Sequence, residues 1–197
     1  MIFLNISSDY VQLFSKSENI LLERNGIENT LWRVLLQEKN KSDFKSIFLL
    51  NWPGWFTNLR VGWLSVNTLN TLFPNEIKIY DISKILLYKH LYDRWFLPEI
   101  GYIYIWQRHN CWKYDFKTDS FETITKSEIQ YEWKYFLDYV FEEWYRENLD
   151  SMLEFSLKED SIQIDYLDKN YSVSYKDLDL KHQYQVVPNY MIDAVKL

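Results

Sequence analysis

The sequence predicts an α+β fold: a single domain in which a mainly antiparallel sheet carries a long amphipathic helix, with shorter helices packed on it. Three observations predict it. Tyr102 to Trp106 and Trp112 to Phe116 are blocks of β-branched and aromatic residues separated by the polar Gln107-Arg108-His109-Asn110, a hairpin pattern. Thr125-Lys126-Ser127-Glu128 matches a capping box, and Ile129, Trp133, Phe136, Leu137, Val140, Phe141 and Trp144 follow it at helical spacing. After Asp150 the pattern alternates again through Leu153–Leu157, Ile162–Tyr166 and Tyr171–Tyr175, an antiparallel meander with one polar face.

In chain order, Val11, Phe14, Ile20, Leu21 and Leu22 are loosely periodic up to the turn dipeptide Asn25-Gly26. Leu31, Val34 and Leu35 then predict a helix over Thr30–Lys39, and Lys39-Asn40-Lys41-Ser42 breaks it. Ser46 to Trp52 reads as a buried strand stopped by Pro53-Gly54. Leu59, Val61 and Trp63 alternate as in a strand, Asn67 to Phe73 suits a short helix, and Ile77 and Ile79 alternate in another strand. Asp81 or Ser83 caps a helix with Ile85, Leu86, Tyr88, Leu91, Tyr92 and Trp95 on its apolar side. Lys117-Thr118-Asp119-Ser120 makes the turn into a short strand from Phe121 to Ile124. Residues 1–197 are read as one domain, with 151–197 as a C-terminal β-meander extension.

Composition narrows the function. Aromatic residues make up 19% of the chain, enough to exclude a disordered protein and to leave many rings with a polar edge at the surface. The net charge of −6 argues against binding a phosphate backbone directly. Cys111 is the sole cysteine, so no intramolecular disulfide forms, and no stretch approaches the roughly 20 apolar residues of a membrane span. These features, with no signal-like N-terminus, predict a cytoplasmic protein.

Catalytic and cofactor motifs are missing. His90, His109 and His182 lie in separate predicted elements without zinc-ligand spacing. Four glycines form no phosphate cradle, so no cofactor and no metal are expected. Acid/base pairs built from distant carboxylates leave no trace in a sequence, and an enzyme with such a site stays an alternative.

Two surfaces are candidates for partner binding. On the predicted helix, Asp138, Glu142 and Glu143 with Tyr135 and Tyr139 form an acidic–aromatic strip suited to a basic partner. A merely solvated face, balanced by Lys134 and Arg146, is the commoner meaning of such a pattern. Trp52 and Trp55, around Pro53-Gly54, read equally as a recognition loop or as rings plugging one end of the core.

The block Phe96–Val140 resembles the SMI1/KNR4 (SUKH) superfamily through Leu97-Pro98, Tyr102-Ile103-Tyr104-Ile105, Trp112 to Asp119, and Trp133 with Phe136-Leu137. It departs from that pattern where Glu99-Ile100-Gly101 replaces a Gly-Gly-Asp-type turn. The GAD-like family, with its DUF1851 partner domain, is similar through Ile103-Tyr104-Ile105-Trp106. Either resemblance implies a non-enzymatic immunity protein that neutralises a cognate toxin, a basic nuclease for instance, by protein–protein binding, and transfers no catalytic residue. A structural or regulatory protein of a phage or mobile element is the other reading.

Overall fold

The computed structural model describes residues 1–186 apart from 24, 106, 133 and 139–151. Among these described residues, three sheets and three α-helices make up an α+β fold. The first sheet begins with three four-residue strands, β1 (Ile2–Asn5), β2 (Val11–Phe14) and β3 (Asn19–Leu22), joined as an antiparallel meander. Helix α1 (Ile27–Ser42) follows. Gly26 starts it at φ +75°, a left-handed conformation that costs glycine little because it has no Cβ. Strand β4 (Ser46–Asn51), helix α2 (Phe56–Leu72) and strand β5 (Lys78–Ser83) complete the sheet in the order β3-β2-β1-β4-β5. Strands β1, β4 and β5 run parallel.

This sheet is buried on both faces, which is why β1 and β4 read as unbroken apolar runs and not as alternating ones. Ile2, Leu4, Ile47, Leu49 and Ile79 pack on one side against Ile27, Leu31 and Leu35 of α1 and Leu59, Trp63, Val66 and Leu69 of α2. Phe3, Phe48, Leu50, Tyr80 and Ile82 pack on the other against helix α3 (Lys84–Asp93) and the remaining two sheets. Ser83 caps α3, its hydroxyl accepting from the Leu86 amide at 3.2 Å.

The second sheet holds β6 (Ile100–Ile103), β7 (Asn110–Asp115), β8 (Ser120–Thr125) and β9 (Tyr135–Leu137) in the order β8-β7-β6-β9, with β6 and β9 parallel. The third is the antiparallel meander of β10 (Glu154–Lys158), β11 (Ser161–Tyr166) and β12 (Lys169–Val173). Phe136, Ile162, Ile164 and Tyr166 join both of these sheets to the core under the first. The edge of β5 is covered near the end of the described chain, where Ile79 and Gln183 exchange backbone hydrogen bonds of 3.0 and 2.9 Å.

Three expectations are corrected. The alternation Leu59-Val61-Trp63 is not a strand, because Asn58, Leu59, Gly62, Trp63, Val66, Leu69 and Asn70 are buried at the spacing of one helix face. The first 22 residues, whose apolar positions read only as loosely periodic, form three strands, each too short to display a period of two. The long amphipathic helix is absent among the described residues of 129–138. The capping box exists, with Thr125 and Glu128 bonding reciprocally, but it opens a single 3-10 turn (Lys126–Glu128). Ile129 already has the extended backbone φ −65°, ψ 130°. Tyr135–Leu137 pair as a strand because β6 offers an open edge, with Phe136 filling the core under the first sheet and Leu137 and Tyr135 packing beside Tyr102 on the other face. The remainder of the expected helix, 139–146, lies outside the described residues.

Candidate functional site

The carboxyl ends of the three parallel strands gather on one side of the first sheet, and a crevice in that position is where open sheets of this kind bind ligands. The loop after β1 is organised by Asn5, which is buried and uses all its hydrogen-bonding capacity. Its Oδ1 accepts from the Ser7 amide (3.0 Å) and hydroxyl (2.7 Å), and its Nδ2 donates to Ser8 Oγ (3.1 Å) and Gln12 Oε1 (2.8 Å). Asn58 of α2 donates to the Ser8 and Asp9 carbonyls at 2.7 and 3.0 Å, clamping the loop to the helix. The indole of Trp55 donates to the Asp9 carboxylate.

The loop after β4 presses Gly54 onto this turn. A Cβ at Gly54 would stand 2.5 Å from the Ser7 carbonyl oxygen, so only glycine fits. The third strand end leads into Lys84, whose Nζ donates to Asp138 Oδ2 at 2.7 Å. Both side chains of that pair are almost wholly buried, at 4% and 3% exposure. Asp138 also accepts from the Tyr88 hydroxyl and from the Tyr104 amide at 3.0 Å. Burial, reinforced by the adjacent Asp138 charge, holds the Tyr88 phenol well above its ordinary range, so it remains a donor. The result is a polar clasp joining α3 to the ends of β6 and β9.

Above the clasp lies a pocket of about 400 Å³, within the usual size range of small-molecule sites. Ser7, Ser8, Asp9, Tyr10 and Gln12 form its polar lip. Tyr88, Tyr104, Phe136, Met152, Leu153 and Phe155 form a largely apolar wall. Lys84 and Asp138 neutralise each other at its floor. Among the described residues the Gln12 amide nitrogen and the Tyr10 hydroxyl have no hydrogen-bond partner, which leaves two neutral polar groups at the lip.

The residues expected to form an outward acidic strip are therefore arranged differently. Asp138 is interior and accepts three hydrogen bonds. Tyr135 lies on β9, packs at 5.4 Å against Tyr102 and donates to Gln130 Oε1 at 2.7 Å. Tyr139, Glu142 and Glu143 lie outside the described residues. Trp52 is buried against Trp112, at a centroid distance of 6.4 Å. Trp55 is partly buried beside Tyr104, at 6.0 Å, and brackets the pocket loop. Ser7, Asn5, Gln12, Lys84 and Tyr88 escaped sequence reasoning; the one available signal was Ser83-Lys84, a helix cap directly after a strand.

Among the described residues no three His, Cys, Asp or Glu side chains gather to hold a metal. Burial pushes the Cys111 thiol up to about 12, so it stays protonated and a poor nucleophile. No described helix is long and apolar enough to cross a membrane.

Asp81 titrates unusually. Burial raises its carboxyl to about 6 against the hydrogen bonds from Gln183 and Asn51. A raised native value means that the folded protein holds this proton more tightly than the unfolded chain. The associated stability is complete below the ordinary carboxylate range and fades as pH rises from about 4 to about 6. Asp81→Asn should therefore gain stability relative to the parent between pH 4 and pH 7.5, by roughly 2–3 kcal/mol. Urea unfolding at the two pH values checks this, and parallel profiles would refute it.

No family model matches the sequence, and no curated protein matches it. Among solved structures the fold is similar to YeaZ from Pseudomonas aeruginosa, with 15% identity, 69% of this chain and 73% of that chain covered, and a TM-score of 0.41. It is also similar to an uncharacterized protein with similarity to peptidase YEAZ from the same organism, with 17% identity, coverage of 70% and 74%, and a TM-score of 0.39. Likenesses at this level transfer no activity. The Phe136-Leu137 pair lies on a strand where the resemblance required a helix, and the neighbours found, a YeaZ and a protein with similarity to YEAZ, are not described as SMI1/KNR4 or GAD-like proteins. The expected membership of those families is corrected accordingly, and the toxin-neutralising immunity function is withdrawn with it.

Proposed function

We propose that the protein is a non-enzymatic, cytosolic binding protein of one domain. It takes a small, uncharged, amphipathic molecule into the pocket at the strand ends. The observation that carries this reading is the state of Asp138. A general base needs a lone pair within reach of substrate, whereas this carboxylate is only 3% exposed and already accepts from Lys84, Tyr88 and the Tyr104 amide, three of its roughly four acceptor sites. Lys84, tied to Asp138 and near the Ser7 carbonyl at 3.4 Å, is likewise engaged. The floor of the pocket is therefore a support for its shape.

The lining chooses the ligand. With Lys84 and Asp138 compensating each other, an anion finds no spare positive charge there. Tyr88, Phe136, Leu153 and Phe155 favour an apolar or aromatic body, and Gln12 and Tyr10 offer neutral hydrogen bonds to its polar end. The unpaired, buried Cys111 accords with a reducing compartment.

The neutral reporter N-phenyl-1-naphthylamine tests the pocket. Its fluorescence should rise saturably with one site per chain, and Met152→Trp, which fills the apolar end, should weaken binding at least about tenfold. Binding unaltered by Met152→Trp would refute the assignment.

A further inference from the structure

A second cavity, independent of the strand-end pocket, opens between the ends of β4 and β5 and the β7–β8 hairpin. It too measures about 400 Å³. Trp52, Trp112, Tyr114 and Phe121 line it, together with the carboxylates of Asp81 and Asp119 and the smaller Asn51, Ser83 and Ile85. No Lys, Arg or His contributes to this lining. The rings form a continuous wall: Trp52 meets Trp112 edge-on at 6.4 Å, Trp112 lies 4.3 Å from Phe121, and Phe121 stacks with Tyr114 at 6.2 Å.

The two acids are not equivalent. Asp119 accepts from the Tyr114 hydroxyl at 2.5 Å and has Lys89 as an ion-pair partner at 3.8 Å. Asp81 has hydrogen-bond partners, the neutral amides of Asn51 and Gln183, but no cationic partner among the described residues. An ionised carboxylate can accept about four hydrogen bonds, so two neutral donors leave it both unsaturated and uncompensated. A partly buried negative charge with no counter-charge among the described residues is unfavourable, and a cation entering the cavity would relieve it.

The walls then decide what kind of cation. A bare divalent metal wants six or more oxygens, or nitrogen and sulfur ligands, and the cavity is walled mainly by carbon. Aromatic faces attract a diffuse positive charge through their quadrupoles, most strongly in desolvated sites, and such boxes hold methylated ammonium groups. We propose that the cavity formed by Trp52, Trp112, Tyr114 and Phe121 around Asp81 binds a small quaternary or methylated ammonium ion. The rings surround the methyl groups and the Asp81 carboxylate supplies the counter-charge.

Calorimetric titration of the whole chain at pH 7.5 with choline and with tetramethylammonium tests this. Saturable one-site binding of both is expected, with 3,3-dimethyl-1-butanol, the uncharged isostere of choline, binding at least about tenfold more weakly. Asp81→Asn and Trp112→Leu should each weaken choline binding by at least about tenfold while N-phenyl-1-naphthylamine still binds. Equal affinity for choline and its neutral isostere would overturn the proposal, as would failure of both cations to bind or unaltered affinity in Asp81→Asn. Should a variant not fold, the comparison of choline with its isostere on the unmodified protein decides the matter.

Discussion

Asp138→Ala should lower the unfolding free energy by about 3–5 kcal/mol, the cost of removing one member of a buried ion pair. The substitution leaves the Lys84 ammonium in an almost solvent-free position, with the Ser7 carbonyl at 3.4 Å as its remaining hydrogen-bond partner among the described residues. It also deprives the Tyr88 hydroxyl and the Tyr104 amide of their acceptor. Replacing both charges, as in Lys84→Met with Asp138→Leu, should cost much less, because no unpaired charge is left behind. Urea unfolding followed by circular dichroism distinguishes the two. A loss below about 1 kcal/mol in Asp138→Ala would mean that this carboxylate is exposed, as on the outer face of a helix.

Gly54→Ala should cost about 3 kcal/mol, at the upper end of overpacking effects. Its Cβ would meet the Ser7 carbonyl oxygen, Cα and carbonyl carbon at 2.5, 2.6 and 2.7 Å, all of them backbone atoms that cannot rotate away. Relief requires moving the β1–β2 turn, which Asn5 and Asn58 hold in place. The same displacement carries Ser7 and Ser8 out of the pocket lip, so reporter affinity should fall along with stability. Gly26→Ala is the contrasting case: no atom lies within 4 Å, and about 1–2 kcal/mol of left-handed backbone strain is the whole cost. Equal losses in the two variants would show that the strand-end loops are not packed as described.

Much of the periphery was legible in the sequence. The β6–β7 hairpin, the turn into β8, the cap at Ser83 and the final meander all rest on local signals: turn residues, alternation and caps. The interior was read less well, for two physical reasons. Strands buried on both faces lose their alternation, and four-residue strands such as β1 to β3 are too short to show any. Conversely, the apolar spacing across Ile129, Phe136 and Leu137 satisfies a helix but also leaves Tyr135-Phe136-Leu137 able to pair as a strand. The open edge of β6 decides between them, and a tertiary partner of that kind is invisible to local reasoning.

The site was harder still. Asp138 stood out for its charge, yet its role comes from Lys84 and Tyr88, which precede it by about fifty residues. A Lys and an Asp that distant have no sequence signature. The rings of Trp52 and Trp55 were noticed without their setting: one walls the cavity at Asp81, and the other braces the loop at Asp9.

The central claim is that a buried Lys84–Asp138–Tyr88 clasp floors a pocket for a neutral ligand at the strand ends. A crystal structure of the protein soaked with N-phenyl-1-naphthylamine tests it most directly. The expected result is the reporter lying between Tyr10, Phe136 and Phe155, with Asp138 still bonded to Lys84, Tyr88 and the Tyr104 amide. Asp138 facing solvent from a helix, or the reporter lodged elsewhere with this pocket closed, would contradict it.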